Sequence, residues 1–320
     1  MQYLLVVIGF ALLIKGADWL VESAKKIAFA LGVSAMVIGM SVVALGTSMP
    51  EVAIGVLSGV SKTNAISLGD VIGSCIANVA LILGVGVLIL PMEVDRKSVR
   101  IDIPLSLLAQ IILAVMLVTG AVLTRARGVA LLVLFGAYCY YLFRKMKSES
   151  LAAVEEQEPE AEEGKPKIGW KPIVFLVLGL GGLVLGAKLV VDNAVLIARQ
   201  FGMSEALIGV TIVALGTSLP ELITTIVAAV KKHSDIAVGN IVGSNILNIC
   251  LVLGLTVTIN PIATSSGVLV DAGAMVAVTV ALLLFSAFGK RLGRVAGVVL
   301  LVMYAAFITY SVISALGAGH

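Results

Sequence analysis

The sequence predicts an all-α integral membrane protein whose ten transmembrane helices form two inverted five-helix repeats, with helices two and seven broken. Three observations predict this fold: an apolar composition, a series of apolar segments of spanning length, and a duplicated motif. Of the 320 residues, 60% are hydrophobic and 13% charged, and the mean hydropathy is +1.13. Soluble domains carry about 25% charged residues. Most of this chain must therefore face lipid or other apolar helices, and its net charge of +3 indicates no nucleic-acid partner.

The apolar segments approach the roughly 20 residues that a helix needs to cross the hydrocarbon core. The predicted spans are 3–22, 34–60, 66–90, 101–123, 127–146, 172–197, 204–230, 236–259, 267–288 and 294–316. No basic segment precedes the first span, so we interpret it as a retained helix rather than a signal peptide. Three cysteines, Cys75, Cys139 and Cys250, lie in apolar runs without paired spacing, which predicts packing residues rather than a disulfide or thiolate site.

One long hydrophilic segment, 148–171, separates a first repeat at 1–147 from a second at 172–320. It is rich in glutamate and contains Pro159 and Pro166, a composition that cannot bury enough apolar surface to fold. We interpret it as a solvated linker, with a cation-sensing or regulatory role as the alternative.

Basic residues indicate the orientation. If the N-terminus is outside, the cytoplasmic side carries Lys25, Lys26, Arg96, Lys97, Arg100, Arg144, Lys145, Lys147, Lys165, Lys167, Lys171, Lys231, Lys232, Lys290, Arg291 and Arg294. The outer loops carry only Lys62, Arg125, Arg127 and Arg199. Because cytoplasmic loops are enriched in Lys and Arg, we expect a multi-pass protein of the cell membrane with both termini outside and the acidic linker in the cytoplasm.

The duplicated motif is the strongest organisational signal. Residues 38–51 read IGMSVVALGTSMPE and residues 208–221 read IGVTIVALGTSLPE, at a constant offset of 170. The same offset aligns GDVIGSCIAN at 69–78 with GNIVGSNILN at 239–248. The two motifs thus extend over 38–78 and 208–248. Each repeat holds five predicted spans, and an odd number inverts the second repeat relative to the first, as in many secondary transporters.

The GTS-x-PE segments predict a cation site in the middle of the membrane. Proline lacks an N–H and leaves the carbonyl four residues earlier unpaired, so Pro50 and Pro220 open their helices beside Glu51 and Glu221. Carboxylates inside a membrane usually mark an ion pathway. The alternatives are a salt bridge from these glutamates to Lys15 or Lys188, and, for the prolines and glycines alone, a packing kink.

The second motif adds neutral oxygens. Ser74 and Asn78 share one helix face, as do Ser244 and Asn248, because residues four apart lie on the same side. Interhelical hydrogen bonding is the alternative for these four. We interpret Asp70, which aligns with Asn240, as a polar packing group, with a neighbour of the site as the alternative. An all-oxygen set without thiolate or imidazole suits calcium, magnesium or sodium.

The paired GTS-x-PE segments, each followed by GS-x-x-x-N, resemble the α-repeats of the sodium/calcium exchanger family, in the cation/calcium exchanger superfamily and of the prokaryotic ten-helix type. The resemblance covers nearly the whole chain. It implies an antiporter in which calcium and sodium are the transported ions, with no cofactor, no enzymatic activity and no obligate protein partner. It also implies that the helices carrying Gly16 and Gly186 slide to switch access. The implied metal ligands are Ala44, Thr47, Ser48, Glu51, Ser74, Asn78, Ala214, Thr217, Ser218, Glu221, Ser244 and Asn248.

Departures from the family pattern refine this expectation. Some relatives, including the potassium-dependent branch, carry aspartate where this chain has Asn248, which disfavours potassium co-transport. Proton/calcium exchangers usually carry a GNA-x-E pattern, so GTS-x-PE favours sodium. Proton/calcium exchange, with Glu51 and Glu221 as proton carriers, remains the first alternative. An intramembrane enzyme is disfavoured because neither an aspartate dyad nor a Ser–His pair is present, and a passive channel would conduct without a counter-ion.

Overall fold

A computed structural model describes residues 1–61, 64–155, 169–203, 208, 212, 214–264, 266–289 and 291–317. In the first half, the α-helices are α1 Gln2–Leu31, α2 Ala35–Ile38, α3 Ala44–Thr47, α4 Met49–Ser61, α5 Asn64–Ile76, α6 Gly84–Ile89, α7 Ile103–Val118 and α8 Arg125–Glu155. In the second half, they are α9 Trp170–Gln200, α10 Ala214–Thr217, α11 Leu219–Val230, α12 Ser234–Leu247, α13 Gly254–Ile259, α14 Ser266–Phe288 and α15 Arg294–Gly317.

Wider π-helical turns join some of these helices into longer rods. They occupy Gly39–Val43, Ala77–Leu83, Ser98–Asp102 and Asn248–Leu253. One small departure from the all-α prediction is a pair of two-residue strands, β1 Val122–Leu123 and β2 Ile262–Ala263, which pair antiparallel between loops. In these strands, Leu123 is opposite Ile262.

The chain is an integral, multi-span membrane protein. Within the described residues, eight helices are long and apolar enough to cross a membrane, and a bent pair, Ala35–Thr47 with Met49–Ser61, raises the number to nine. These match predicted spans one to six and eight to ten. Predicted span seven, 204–230, lies partly outside the described residues, and its described part contains α10 and the short apolar helix α11.

The second predicted span is broken where the sequence places Pro50. Its two parts meet at an angle of 49°, and Ser48 between them has φ −84° and ψ 9°, outside the α-helical region. The corresponding Ser218 has φ −88° and ψ 6°, between α10 and α11. Both interruptions precede a Pro-Glu pair, as expected because proline cannot donate to the preceding turn. Glu51 and Glu221 each lie in the first turn of the following helix.

Helices α1 and α9 pack along their lengths through glycine. A Cβ added to Gly16 would lie 2.7 Å from the carbonyl oxygen of Gly179, and one added to Gly179 would lie 2.7 Å from that of Gly16. Gly9 and Gly186 make the same reciprocal approach, at 2.9 Å and 2.7 Å. Small residues allow membrane helices to approach this closely without side chains between them.

The remaining helices surround the long, buried rod formed by α12 and α13. Gly243 on α12 packs so closely against the π-helical turn before α3 that an added Cβ would lie 2.6 Å from the Met40 carbonyl oxygen. Gly73 is its counterpart at the repeat offset of 170. For Gly73, the described part of the chain places no atom within 4 Å of an added Cβ.

Helix α8 continues into the segment predicted to be linker, ending at Glu155. The carboxylate of Glu149 accepts hydrogen bonds from the Ser34 N–H at 2.8 Å and its hydroxyl at 3.2 Å, at the start of α2. This contact gives the first part of the segment a folded partner, which composition alone does not reveal. Of the cysteines, Cys75 and Cys250 are buried as packing residues, whereas Cys139 is exposed on the helix surface.

A buried ion pair holds α8 to the start of α7. The side chain of Asp102 has no exposed surface and binds Lys145 Nζ at 2.7 Å and the Tyr141 hydroxyl at 2.7 Å. Removing one partner of such a pair leaves an uncompensated charge away from water.

We expect Lys145→Met to destabilise the protein by about 3 kcal/mol, the range for breaking a buried pair. Lys188→Met is the matched control, because Lys188 pairs with Asp192 on the surface, where the side chains are 70% and 56% exposed. Thermal unfolding of purified protein in detergent measures both. Equal unfolding temperatures for the two variants would contradict this role for Asp102.

Candidate functional site

The two broken helices and the two long rods α5–α6 and α12–α13 bring their polar residues together in the interior. The Ser48 hydroxyl lies 3.0 Å from Glu221 Oε1, to which it donates, and 3.0 Å from Ser244 Oγ. On the opposite side, Ser218 Oγ lies 3.5 Å from Ser74 Oγ. Each break thus faces a serine from the other half of the chain.

Both glutamates lie in this interior cluster, and each residue is only 1% exposed. Ser48, which donates to Glu221, lies three residues before Glu51 on the same broken helix, so the two glutamates enter one cluster. Within the described residues, Oε2 of Glu51 and Oε2 of Glu221 have no hydrogen-bond partner. Unpaired charge in a medium of low polarity is costly, so the cluster is suited to a positively charged ligand.

The alternative of a salt bridge from the glutamates to lysine does not hold for Lys15 or Lys188. Lys15 pairs with Asp18 at 3.0 Å and Lys188 pairs with Asp192 at 2.8 Å, each on its own helix. Both lysines are largely exposed, in contrast to the buried glutamates.

The threonines of the two motifs contact a pair of residues that sequence reasoning did not include in the site. Thr47 Oγ1 donates to Asn240 Oδ1 at 3.0 Å, and Thr217 Oγ1 donates to Asp70 Oδ1 at 3.5 Å. Asp70 therefore neighbours the candidate site, and the packing interpretation missed this contact. The signal was present in the sequence, since Asp70 and Asn240 align at the repeat offset of 170.

The asparagines contribute both hydrogen bonds and unpaired atoms. Asn78 Nδ2 donates to Asn245 Oδ1 at 3.0 Å, and Asn245 Nδ2 donates to the Cys75 carbonyl at 3.3 Å. Sequence reasoning also missed Asn245, because Cys75 stands at its aligned position. Across the described residues, neither side-chain polar atom of Asn248 has a partner, nor does Asn78 Oδ1. Interhelical bonding therefore explains part of this polar set, and unpaired oxygens remain.

The backbone of the site departs from regular helix on all four elements, at the two breaks and in the two rods. The carbonyl of Ala44 accepts from the Ser48 N–H at 3.0 Å and from the Thr47 hydroxyl at 3.3 Å. Asn78 and Asn248 lie within the π-helical turns of their rods. Such π-bulges often occur at functional sites. Ala214, the predicted counterpart of Ala44, begins α10.

The chemistry of the donor set fits a hard cation. In the described ranges, no three His, Cys, Asp or Glu side chains are arranged to hold a metal. The side chains that meet here carry carboxylate, hydroxyl and amide oxygens. Oxygen donors of this kind bind calcium and sodium rather than zinc or copper.

The fold and the site together define a membrane protein with a polar, acidic cluster enclosed by its own helices. The sequence profile described as sodium/calcium exchanger protein matches residues 1–144 and 171–313. The chain therefore belongs to the sodium/calcium exchanger family, a family of membrane antiporters. The unmatched residues between the two parts fall at the predicted linker.

Individual relatives agree with this assignment. The chain is 32% identical to the sodium/calcium exchanger MaX1 of Methanosarcina acetivorans, an alignment covering 96% of this chain and 97% of the relative. It is 36% identical to the inner membrane protein YrbG of Escherichia coli, over 80% of this chain and 79% of that protein. The solved structure of the sodium-calcium exchanger NCX_Mj soaked with 10 mM Na⁺ superposes with a TM-score of 0.83 at 33% identity, covering 96% of this chain and 98% of that one.

Proposed function

We propose that this chain exchanges sodium for calcium across the membrane by alternating access, with the buried acidic cluster as the shared ion site. The observation that carries the proposal is the convergence of Glu51 and Glu221, both 1% exposed, with Ser48 and Ser244 between the two halves. Two carboxylates neutralise one divalent ion. When calcium leaves, the cluster holds two negative charges in a desolvated interior, which must be refilled by sodium before the protein changes access.

The proposed ligands are the twelve residues named from the family resemblance. Glu51 and Glu221 supply charge, and neutral oxygens complete the shell. The hydroxyl ligands are Thr47, Ser48, Ser74, Thr217, Ser218 and Ser244, the amide ligands are Asn78 and Asn248, and the carbonyl ligands are Ala44 and Ala214. Calcium binds six to eight oxygens in flexible geometry, so a subset of this group is sufficient for one calcium ion. A three-for-one exchange, as the family implies, moves one net positive charge per cycle and is electrogenic.

Ten spans in two inverted repeats provide the alternating access in this proposal. Reciprocal contacts support the two-fold relation: Gly16 meets Gly179 as Gly9 meets Gly186, and each pair maps onto the other by the offset of 170. The isolated β-bridge between Met92 and Leu292 supports it as well. At the offset of 170, these residues correspond to Ile262 in β2 and Val122 in β1, and those two strands also pair. The glycine-lined contact between α1 and α9 has few protruding side chains, which suits helices that slide against the core.

The proposed protein has both termini outside and the acidic linker in the cytoplasm, as the Lys and Arg distribution predicts. It needs no cofactor, catalyses no chemical reaction and requires no protein partner. It functions in the lipid bilayer on its own. Its two repeats occupy 1–147 and 172–320.

Calcium flux into liposomes tests the coupling ion. Vesicles loaded with sodium and diluted into sodium-free buffer containing calcium should accumulate calcium. A proton uncoupler should not reduce that uptake and should increase it, because protons then compensate the net charge that a three-for-one exchange moves. Vesicles with a pH gradient and no sodium distinguish sodium coupling from proton coupling. A proton/calcium exchanger would drive calcium uptake into these vesicles, and the uncoupler would abolish that uptake. Uptake that ignores the sodium gradient would contradict sodium coupling.

A further inference from the structure

Asp70 is an acidic group that the proposed ligand set does not use, although it contacts one of those ligands. Its Oδ1 lies 3.5 Å from Thr217 Oγ1. Its Oδ2 is buried and has no hydrogen-bond partner among the described residues. Throughout the same described ranges, no lysine or arginine forms an ion pair with it. An inward-facing carboxylate without a counter-ion is costly unless a cation visits it.

Asp70 and its repeat counterpart Asn240 differ in exposure. Asp70 is partly exposed, and the neighbouring Gly69 is exposed. Asn240 is fully buried and bonds to Thr47 at 3.0 Å. Asp70 is thus in contact with both the cluster and the exterior, whereas Asn240 is enclosed on its side.

The two positions lie at corresponding depths from opposite ends of the site. Asp70 follows the start of α5 at Asn64 by as many residues as Asn240 follows the start of α12 at Ser234. With inverted repeats, these helix starts are on opposite faces of the membrane. The aligned position therefore carries a charge on one face and a neutral amide on the other.

We propose that Asp70 is a cation-capturing carboxylate at the entrance to the ion site on one face of the membrane, with Asn240 as its neutral counterpart on the other face. This inference rests on the proposed exchange function and on the inverted repeats. In the orientation given by the basic residues, Asp70 lies toward the outer face. Its charge concentrates calcium and sodium at the entrance, and the Thr217 hydroxyl connects it to the central ligands.

The effect of Asp70 is confined to one face. A fixed charge at an entrance raises the local cation concentration, and the Michaelis constant (KM) for calcium on that face falls. The substitution Asp70→Asn removes this charge and gives both entrances the same neutral residue, since Asn240 stands at the aligned position. It should raise the outer KM for calcium about five- to tenfold, the order expected for a partly screened charge acting on a divalent ion. The inner KM and the maximal rate should change little.

The experiment measures sodium-dependent calcium flux in right-side-out and inside-out vesicles from the same cells. Asp271→Asn is the matched control, because Asp271 is a partly exposed aspartate on α14 with no assigned role at the site. Asp70→Glu keeps the charge and should stay near the wild-type KM, which separates loss of charge from misfolding. Choline chloride should shrink the difference between wild type and Asp70→Asn, because added salt screens a partly exposed charge.

The outcomes distinguish this inference from the proposed function. An Asp70→Asn KM that is unchanged on both faces, or raised equally on both, would overturn the entrance role while leaving sodium/calcium exchange intact. If Asp70→Glu raises the outer KM for calcium as much as Asp70→Asn does, Asp70 has a packing role instead. Wild-type vesicles without sodium-dependent calcium flux would instead contradict the proposed function.

Discussion

Glu51→Gln and Glu221→Gln are each expected to reduce sodium-dependent calcium uptake by on the order of 100-fold or more. Both carboxylates are buried and lack a lysine or arginine partner within the described residues. Glutamine preserves the shape of the side chain and removes its charge, so only one of the two negative charges remains to bind a divalent ion. Losing one partner of a desolvated charge pair costs about 3–5 kcal/mol, and each 1.4 kcal/mol corresponds to tenfold in affinity.

Asp192→Asn is the matched control for this pair of variants. Asp192 is an acidic residue on a membrane helix, but its side chain is 56% exposed and pairs with Lys188. Its calcium uptake should equal that of wild type. Uptake retained by either glutamine variant, in protein that remains monodisperse, would refute the ligand role of that glutamate.

Gly16→Val and Gly179→Val are expected to have the next largest effect. The first atom of the new side chain would lie 2.7 Å from a backbone carbonyl oxygen of the partner helix. Backbone cannot move aside as a flexible side chain can, so α1 and α9 must separate. Overpacking of this kind costs about 1–3 kcal/mol. We expect a lower unfolding temperature and at least about a tenfold lower exchange rate, because separated helices cannot slide together against the core in the proposed cycle.

Gly181→Val tests whether the effect comes from the helix contact. Gly181 lies on the same helix α9, and an added Cβ there meets no described atom within 4 Å. Its unfolding temperature and exchange rate should match those of wild type. Equal losses in all three variants would show that valine in α9 or α1 is harmful in general and would contradict a specific role for the contact.

The sequence predicted the features that depend on covalent chemistry and periodicity. Pro50 and Pro220 lack an N–H, so the interruptions at Ser48 and Ser218 follow directly from their positions. Apolar length predicted the spans, with the exception of the part of 204–230 that lies outside the described residues. The repeat offset alone places Glu51 and Glu221 at equivalent positions, which predicts a shared site.

Features that depend on tertiary contacts were not predictable in the same way. Asn240 and Asp70 belong beside the site because they meet Thr47 and Thr217 at sequence separations of 193 and 147 residues, and only the packing of the rods shows this. The partner of Glu149 is Ser34, 115 residues away in sequence, so a composition typical of linkers concealed an ordered helix end. The ligand role of the twelve named residues stays a prediction.

The central claim is that a cation binds between the carboxylates of Glu51 and Glu221. Anomalous diffraction from crystals of the protein soaked in calcium measures this most directly. We expect a single strong peak about 2.3–2.6 Å from a carboxylate oxygen of each glutamate, the usual calcium–oxygen distance, which sodium should diminish in competition. An anomalous peak elsewhere, or none at saturating calcium, would contradict the claim.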